Sequence, residues 1–246
     1  MSAPVVLITG AARRIGAEIS QAFHRKGFDV ALHYNHSAQD ADALAQKLNT
    51  TRKDSAATFQ ADLTDISTVK LMATQVLQWR NTLKVLINNA SSFYPTPLDS
   101  ANEEQWDALI GSNLKGPYFL CQSFAKKLQE SQGSIVNIAD IYAKNPLQDY
   151  SIYCIAKAGN VMLTKSLAKE LAPKVRVNGI APGVILWPNT EEQMSDTTKH
   201  SVINNVPLGR TGSPADIAQL AFFLATHASY TTGQIIAVDG GSSLCR

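Results

Sequence analysis

Three side chains in the middle of this chain have the types and spacing for proton chemistry. Tyr153 and Lys157 stand four positions apart, so on a helix they share one face. An ammonium beside a phenol favours the phenolate and is expected to lower the phenol's pKa, which makes a tyrosine a usable proton donor near neutral pH. Asp140 ends the apolar run Ser134-Ile135-Val136-Asn137-Ile138-Ala139 and precedes Tyr153 by thirteen positions. A carboxyl group beside such a pair suits a substrate that itself offers hydrogen-bond donors, rather than a simple ketone.

A second constellation suits phosphate. Thr9-Gly10-Ala11-Ala12-Arg13-Arg14-Ile15-Gly16 follows an apolar run and opens a helical segment, Arg14 to Lys26, closed by Gly27. A glycine-rich turn feeding a helix N-terminus lets backbone N–H groups approach a pyrophosphate, and the helix dipole favours its charge. Arg14 stands where the dinucleotide fingerprint has its middle glycine. It reads either as a solvated first-turn residue or as a guanidinium useful to pyrophosphate and substrate. The next strand ends His33-Tyr34-Asn35-His36-Ser37. An NAD site places a carboxylate there for the ribose 2′-hydroxyl; this chain has polar donors able to hold a 2′-phosphate, which favours NADP. Asp62, in Gln60-Ala61-Asp62-Leu63, reads either as an acceptor for an adenine amino group or as a helix N-cap. Asn88-Asn89-Ala90-Ser91 closes a further strand at the end where open parallel sheets bind ligands.

The elements that must position these residues alternate. Short runs at Val5 to Thr9, Val30 to Tyr34, Ala57 to Gln60, Val85 to Asn88, Ser134 to Ala139, Val175 to Ala181 and Gln234 to Val238 read as buried strands. Between them Ile66, Val69, Ala73, Val76 and Leu77 recur at helical spacing, as do Val161, Leu163, Leu167 and Leu171. Repeated βαβ units predict an α/β fold: one doubly wound parallel sheet of about seven strands flanked by helices. Residues 184–212, rich in Asn, Thr, Pro and Ser, are expected to form a long functional connection such as a lid.

Composition narrows the function. The 246 residues are 45% hydrophobic with a formal net charge of +2, enough for one sizeable core and without the basic run that nucleic acid requires. No apolar stretch reaches the ~20 residues of a bilayer span, and the N-terminus lacks a signal-peptide pattern. Cys121, Cys154 and Cys245 are an odd number without metal-ligand spacing, which suits a reducing compartment and makes cytoplasm the expected location. Cys154 is expected to be a packed, inert thiol. His24, His200 and His227 form no metal pattern and read as surface residues.

Taken together, Thr9-Gly10 with Gly16, Asp62, Asn88-Asn89-Ala90, Asn113, Tyr153-x-x-x-Lys157, Asn178, Pro182-Gly183 and Asp239-Gly240-Gly241 fall in an order that resembles the short-chain dehydrogenase/reductase family over nearly the whole chain. The resemblance implies a single-domain Rossmann fold that binds NADPH/NADP. In the family the tyrosine donates a proton, the lysine lowers its pKa and binds the nicotinamide ribose, and the asparagine, here Asn113, helps hold a water relay. Pro182 and Gly183 bound the nicotinamide pocket. The cofactor set implied for this chain is Gly10, Arg13, Arg14, Ile15, Gly16, His33 to Ser37 (Tyr34, Asn35 and His36 included), Asp62, Leu63, Asn89, Ala90, Ser91, Tyr153, Lys157, Pro182 and Gly183. A homotetramer is also implied, with helices around Asn102 to Glu130 and Tyr153 to Leu171 as interfaces.

Within that family the departures resemble the pteridine reductases. Arg14, the run His33 to Ser37, and Asn89-Ala90-Ser91-Ser92-Phe93-Tyr94-Pro95-Thr96-Pro97 share their pattern, and Asp140 replaces the family's usual serine there too. By that resemblance Asp140 and Tyr153 work as a pair on a pterin, Phe93 stacks over the ring opposite the nicotinamide, and Arg14, Ser91 and Tyr150 contact it. Phe93 also reads as a loop aromatic packed on the core, and Tyr150 as a neighbour that only packs beside Tyr153. In a dihydropterin the bond to reduce is the N5=C6 imine, with hydride to C6 and a proton to N5. In an oxidised pterin hydride goes to C7 and the proton to N8. Ile185 departs from the pteridine reductases, which often carry a serine there. The alternatives are a reductase of a carbonyl or 3-oxoacyl thioester, and, in another class, a non-catalytic module that senses NADP.

Overall fold

The computed structural model describes residues 3–185 and 196–245. Seven strands form one sheet: β1 (Val5–Ile8), β2 (Asp29–Tyr34), β3 (Ala56–Gln60), β4 (Val85–Asn88), β5 (Ser134–Ile138), β6 (Arg176–Pro182) and β7 (Ile235–Val238). Their order across the sheet is β3-β2-β1-β4-β5-β6-β7, and every pairing is parallel. The chain reverses direction across the sheet between β1 and β4, so a crevice opens at the carboxyl ends of those two strands. The expected strands are all present, with ends displaced by a residue at most.

Strand side chains alternate between the two faces. Val6, Ile8, Val30, Leu32, Val85, Ile87, Val136 and Ile138 pack with Ile19 and Phe23 of α1 (Arg14–Arg25), with α2 (Ala38–Thr51), and with Ile217, Ala221 and Leu224 of α8 (Pro214–Thr226). Val5, Leu7, Leu86 and Ile135 pack on the other face against α3 (Ile66–Trp79), α5 (Gly116–Glu130) and α6 (Ser151–Glu170) through Met72, Val76, Phe124, Leu163 and Leu167. Two-sided burial explains why these strands read as continuous apolar runs.

Two helices remain. α4 (Glu103–Ile110) starts at a capping box between Asn102 and Gln105 and runs into a π-helical turn, Gly111–Lys115, before α5. α7 (Asp196–Asn204) lies inside residues 184–212, the segment expected to form a long connection. Trp187 and Pro188, which follow Pro182-Gly183 in sequence and read either as a wall of the pocket or as anchors of the loop, fall outside the described residues. His24 is a further correction: it is buried, and its Nε2 hydrogen-bonds to Ser55 Oγ at 2.7 Å. Among the described residues no helix is long and apolar enough to cross a membrane.

Candidate active site

The glycine-rich turn is built by residues on three strands. Thr9 Oγ1 accepts from the N–H groups of Asn89 and Ala90 at 2.9 and 3.0 Å, and Asn89 Nδ2 donates to the carbonyls of Thr9 and Gly10 at 2.8 and 3.1 Å. These bonds lace the ends of β1 and β4 across the crevice. Gly10 takes φ +62°, and a Cβ on Gly16 would lie 2.0 Å from the Gly10 carbonyl oxygen. Neither position tolerates a side chain, so the backbone is left bare where a pyrophosphate approaches. Arg14 adopts φ +53°. The arginine therefore takes the left-handed conformation that a glycine would adopt more cheaply.

His33 does not do what its sequence position suggested. It is buried, its Nδ1 accepts from the Gly10 N–H at 3.0 Å, and Nε2 lies 3.1 Å from the Ala61 carbonyl. Since Nδ1 must carry the lone pair, Nε2 carries the proton. Burial lowers its pKa to about 4, so the ring is neutral and braces the turn instead of meeting a phosphate. The Leu63 side chain lies in the core, which leaves its backbone for a ligand. Asp62 is not the N-cap of α3, which is Asp65; its Oδ1 accepts from the Thr64 N–H and hydroxyl at 2.9 and 2.8 Å, and it lines a groove with Asn35 and Ala61. At the end of β2 and beyond it, Tyr34, Asn35 and Ser37 are half-buried and His36 is exposed. Arg13 is exposed and ion-paired to Asp40 at the start of α2, 2.5 Å apart. Bare backbone at Gly10 and Gly16, with no carboxylate among the residues ending β2, fits a nicotinamide dinucleotide.

α6 delivers the proton chemistry. Tyr153 and Lys157 lie on its inward face, both almost wholly buried. The Tyr153 hydroxyl donates to Asp140 Oδ2 at 2.7 Å, while Asp140 Oδ1 accepts from the Tyr142 N–H at 2.8 Å. The short turn after β5 thus aims the carboxylate at the phenol. Lys157 Nζ donates to the Ile138 carbonyl at 3.0 Å and sits 5.6 Å from the centre of the Tyr153 ring. Asn113, in the π-helical turn, accepts from the Ser91 hydroxyl at 2.7 Å and donates to the carbonyls of Ser92 and Leu109, each at 3.0 Å. Phe93 stacks on Tyr150 with centroids 4.6 Å apart and meets the edge of Tyr153 at 4.8 Å.

One cleft of about 690 Å³ gathers Arg14, Ser91, Phe93, Asp140, Tyr150 and Tyr153, the six residues assigned to a substrate; Ile15, Asn89, Lys157, Pro182, Gly183 and Ile185 share its lining. Ala90 stands at the edge of the glycine-rich turn, its Cα 3.0 Å from where a Cβ on Gly10 would be. Cys154 is buried outside that lining and its sulfur accepts from the Leu147 N–H. No group of His, Cys, Asp and Glu among the described residues could hold a metal ion.

Electrostatics reverse one expectation. Tyr153 is pushed well above the ordinary phenol value, first by burial and then by the Asp140 carboxylate; the Ser91 hydroxyl opposes the shift. A carboxylate in contact outweighs an ammonium that touches only the ring face, so the phenol keeps its proton. Burial lowers Lys157 to about 8, with Asp140 pulling the other way. Its ammonium is therefore expected to be lost as pH rises through about 8, and turnover with it. A pH profile of kcat/KM that stays flat across that pH would show that the charge on Lys157 is not needed. The unfolded chain keeps this proton up to the ordinary lysine value of 10.5, so folding stability rises with pH between those two values.

With the cleft and the turn in place, comparison with known proteins fixes the class. The profile described as enoyl-(acyl carrier protein) reductase matches residues 10–243, and the chain belongs to the short-chain dehydrogenase/reductase family. It is thus an oxidoreductase that uses a nicotinamide dinucleotide on a small molecule. Pteridine reductase 1 of Leishmania tarentolae is 38% identical over 100% of this chain and 98% of its own length. The 3-oxoacyl-[acyl-carrier-protein] reductases of Staphylococcus aureus strain Mu50 and Thermotoga maritima are 36% and 34% identical, over 96% of each chain.

Two hydrogen-bonding side chains near the site were given no role by the sequence reading. Thr9 holds the turn through its hydroxyl, signalled only by a hydroxyl residue directly before Gly10. Asn160 lies seven positions after Tyr153, on the same helical face, and that spacing was the available signal.

Proposed function

We propose that this protein reduces pterins with NADPH, converting a dihydropterin such as dihydrobiopterin, dihydromonapterin or dihydrofolate to the tetrahydro form, and acting on oxidised pterins as well. The observation that carries this reading is the 2.7 Å hydrogen bond from Tyr153 to Asp140 at the base of a cleft walled by Phe93 and Tyr150. A flat ring rich in donors and acceptors matches an aromatic slot with a few aimed polar groups. Bound NADPH supplies the hydride to C6. Preference for NADPH over NADH is supported by the polar, carboxylate-free run Tyr34 to Ser37.

The protein's part is to place the ring and deliver a proton to N5. The carboxylate beside Tyr153 opposes the phenolate, so the pair delivers from the state in which both groups are protonated. Tyr153 hands its proton to N5 and takes the one from Asp140. The phenol donating to a carboxylate, as seen here, is the state this transfer leaves behind. Lys157, Pro182 and Gly183 border the nicotinamide end of the cleft, Arg14 and Ser91 its polar rim, and Phe93 covers the ring. A homotetramer is supported by exposed Trp106, Tyr118, Ile155 and Met162 on α4, α5 and α6. A cytoplasmic location accords with three free cysteines.

The second reading, reduction of a 3-oxoacyl thioester, draws on the similarity to reductases of that name. An assay of NADPH oxidation with dihydrobiopterin, dihydromonapterin, dihydrofolate and a 3-oxoacyl thioester separates the two. Turnover is expected with at least one pterin; turnover of the thioester alone contradicts the pterin reading. A sensor of NADP would bind NADPH and oxidise it with none of them.

A further inference from the structure

We propose that Asn160 is a positioning residue of the reductase site, holding the backbone carbonyl of Asn113 so that the Asn113 side chain stays locked to Ser91 beside Tyr153. The inference rests on the reductase reading of the cleft and extends it to a residue that touches neither substrate nor cofactor.

Tyr153, Lys157, Asn160 and Thr164 follow one another at spacings of four, three and four along α6 and are all buried. They form a polar stripe on a helix that otherwise buries Ile152, Ala156, Leu163 and Leu167. Asn113 lies in the π-helical turn Gly111–Lys115, and the residue four positions on is Pro117. Proline has no N–H, so the Asn113 carbonyl is denied its α-helical donor. Asn160 Nδ2 donates to that carbonyl at 3.2 Å. From the same residue, the Asn113 amide reaches the Ser91 hydroxyl and the carbonyls of Ser92 and Leu109. Behind Asn160, the Thr164 hydroxyl donates to the Asn160 carbonyl at 2.9 Å and accepts from Asn137 of β5 at 2.8 Å, and Asn137 accepts from Asn88 of β4 at 2.8 Å. The bulge is thereby tied to the two strands whose ends carry Ser91 and Asp140.

The energetics favour a positioning role. Asn160 Oδ1 is buried with no hydrogen-bond partner among the described residues. An unmatched buried acceptor costs about 1–3 kcal/mol, and a leucine of similar size would avoid that cost. The amide is therefore a poor choice for packing and a good one for a carbonyl whose α-helical donor Pro117 removes.

The test is Asn160→Leu, assayed on whichever of dihydrobiopterin and a 3-oxoacyl thioester the wild type reduces. The expected result is a fall in kcat of about tenfold, the scale of effect that a small displacement near the chemistry produces. NADPH affinity and the thermal midpoint should hold, and hydrogen exchange should quicken in the peptide spanning Gly111–Lys115. Asn160→Ala, smaller and likewise without a donor, gives the same readings in kcat and exchange if the leucine variant does not fold. Unchanged kcat and unchanged exchange overturn the proposal. So does a loss of kcat that runs parallel with lost NADPH affinity and a lowered midpoint, which would mark Asn160 as structural only. Should the wild type reduce neither substrate, the reductase reading fails on its own, and the exchange measurement still decides whether Asn160 holds the turn.

Discussion

Tyr153→Phe is expected to lower kcat by about a thousandfold, within the range that positioned general acids contribute, while NADPH still binds. The substitution removes one oxygen and leaves the ring, so the edge contact with Phe93 and the Lys157 contact at the ring face survive. What disappears is the hydroxyl that bridges Asp140 to the cleft. Kcat, not the KM for NADPH, should carry the loss. Quenching of the protein's fluorescence by NADPH, measured beside turnover, makes the comparison. If turnover persists within a factor of a few, another group supplies the proton; if NADPH binding is lost as well, the phenol is part of the cofactor site before it is a donor.

Asp140→Ser carries the second large expectation. Hydrogen bonds to a charged group contribute about 1.5–3 kcal/mol each, and every 1.4 kcal/mol is about tenfold. Loss of the carboxyl group should therefore cost pterin turnover roughly ten- to a hundredfold, with NADPH binding intact. The same change removes the charge that opposes the phenolate, leaving burial as the main upward influence on Tyr153. The variant is then closer to the serine pattern of the wider family, and turnover of a 3-oxoacyl thioester should hold or rise. Unchanged pterin turnover would mean that Asp140 serves the fold alone, by accepting from the Tyr142 N–H.

Much of this was legible in the chain because strand burial on both faces writes itself as short apolar runs, and because Tyr153 and Lys157 are joined by helical spacing. Asp140 was legible as an oddity at a strand end; its contact with Tyr153 required the turn at Ile141–Ala143, which brings the two together across thirteen positions. His33 misled because a histidine at a strand end looks available, and only the fold shows both ring nitrogens engaged, one with Gly10 and one with Ala61. Tyr153 misled because spacing reveals that Lys157 is near without revealing that Asp140 is nearer to the oxygen. His24 was hidden by its place near the end of α1, where a polar residue is ordinarily solvated; Ser55 gives it a buried partner. Asn160 was missed because its helical spacing from Tyr153 places it on the same face without revealing its partner, the Asn113 carbonyl, whose α-helical donor is removed by a proline 43 positions earlier.

The most direct test of the central claim is the ratio of kcat/KM for a dihydropterin to that for a 3-oxoacyl thioester, measured side by side on the wild type and on Asp140→Ser with NADPH as the reductant. The Asp140–Tyr153 pair predicts a ratio well above one in the wild type and a fall of at least about tenfold in the variant, the worth of one charge-assisted hydrogen bond. A ratio that the substitution leaves unmoved, or a wild type that reduces the thioester and no pterin, would contradict it.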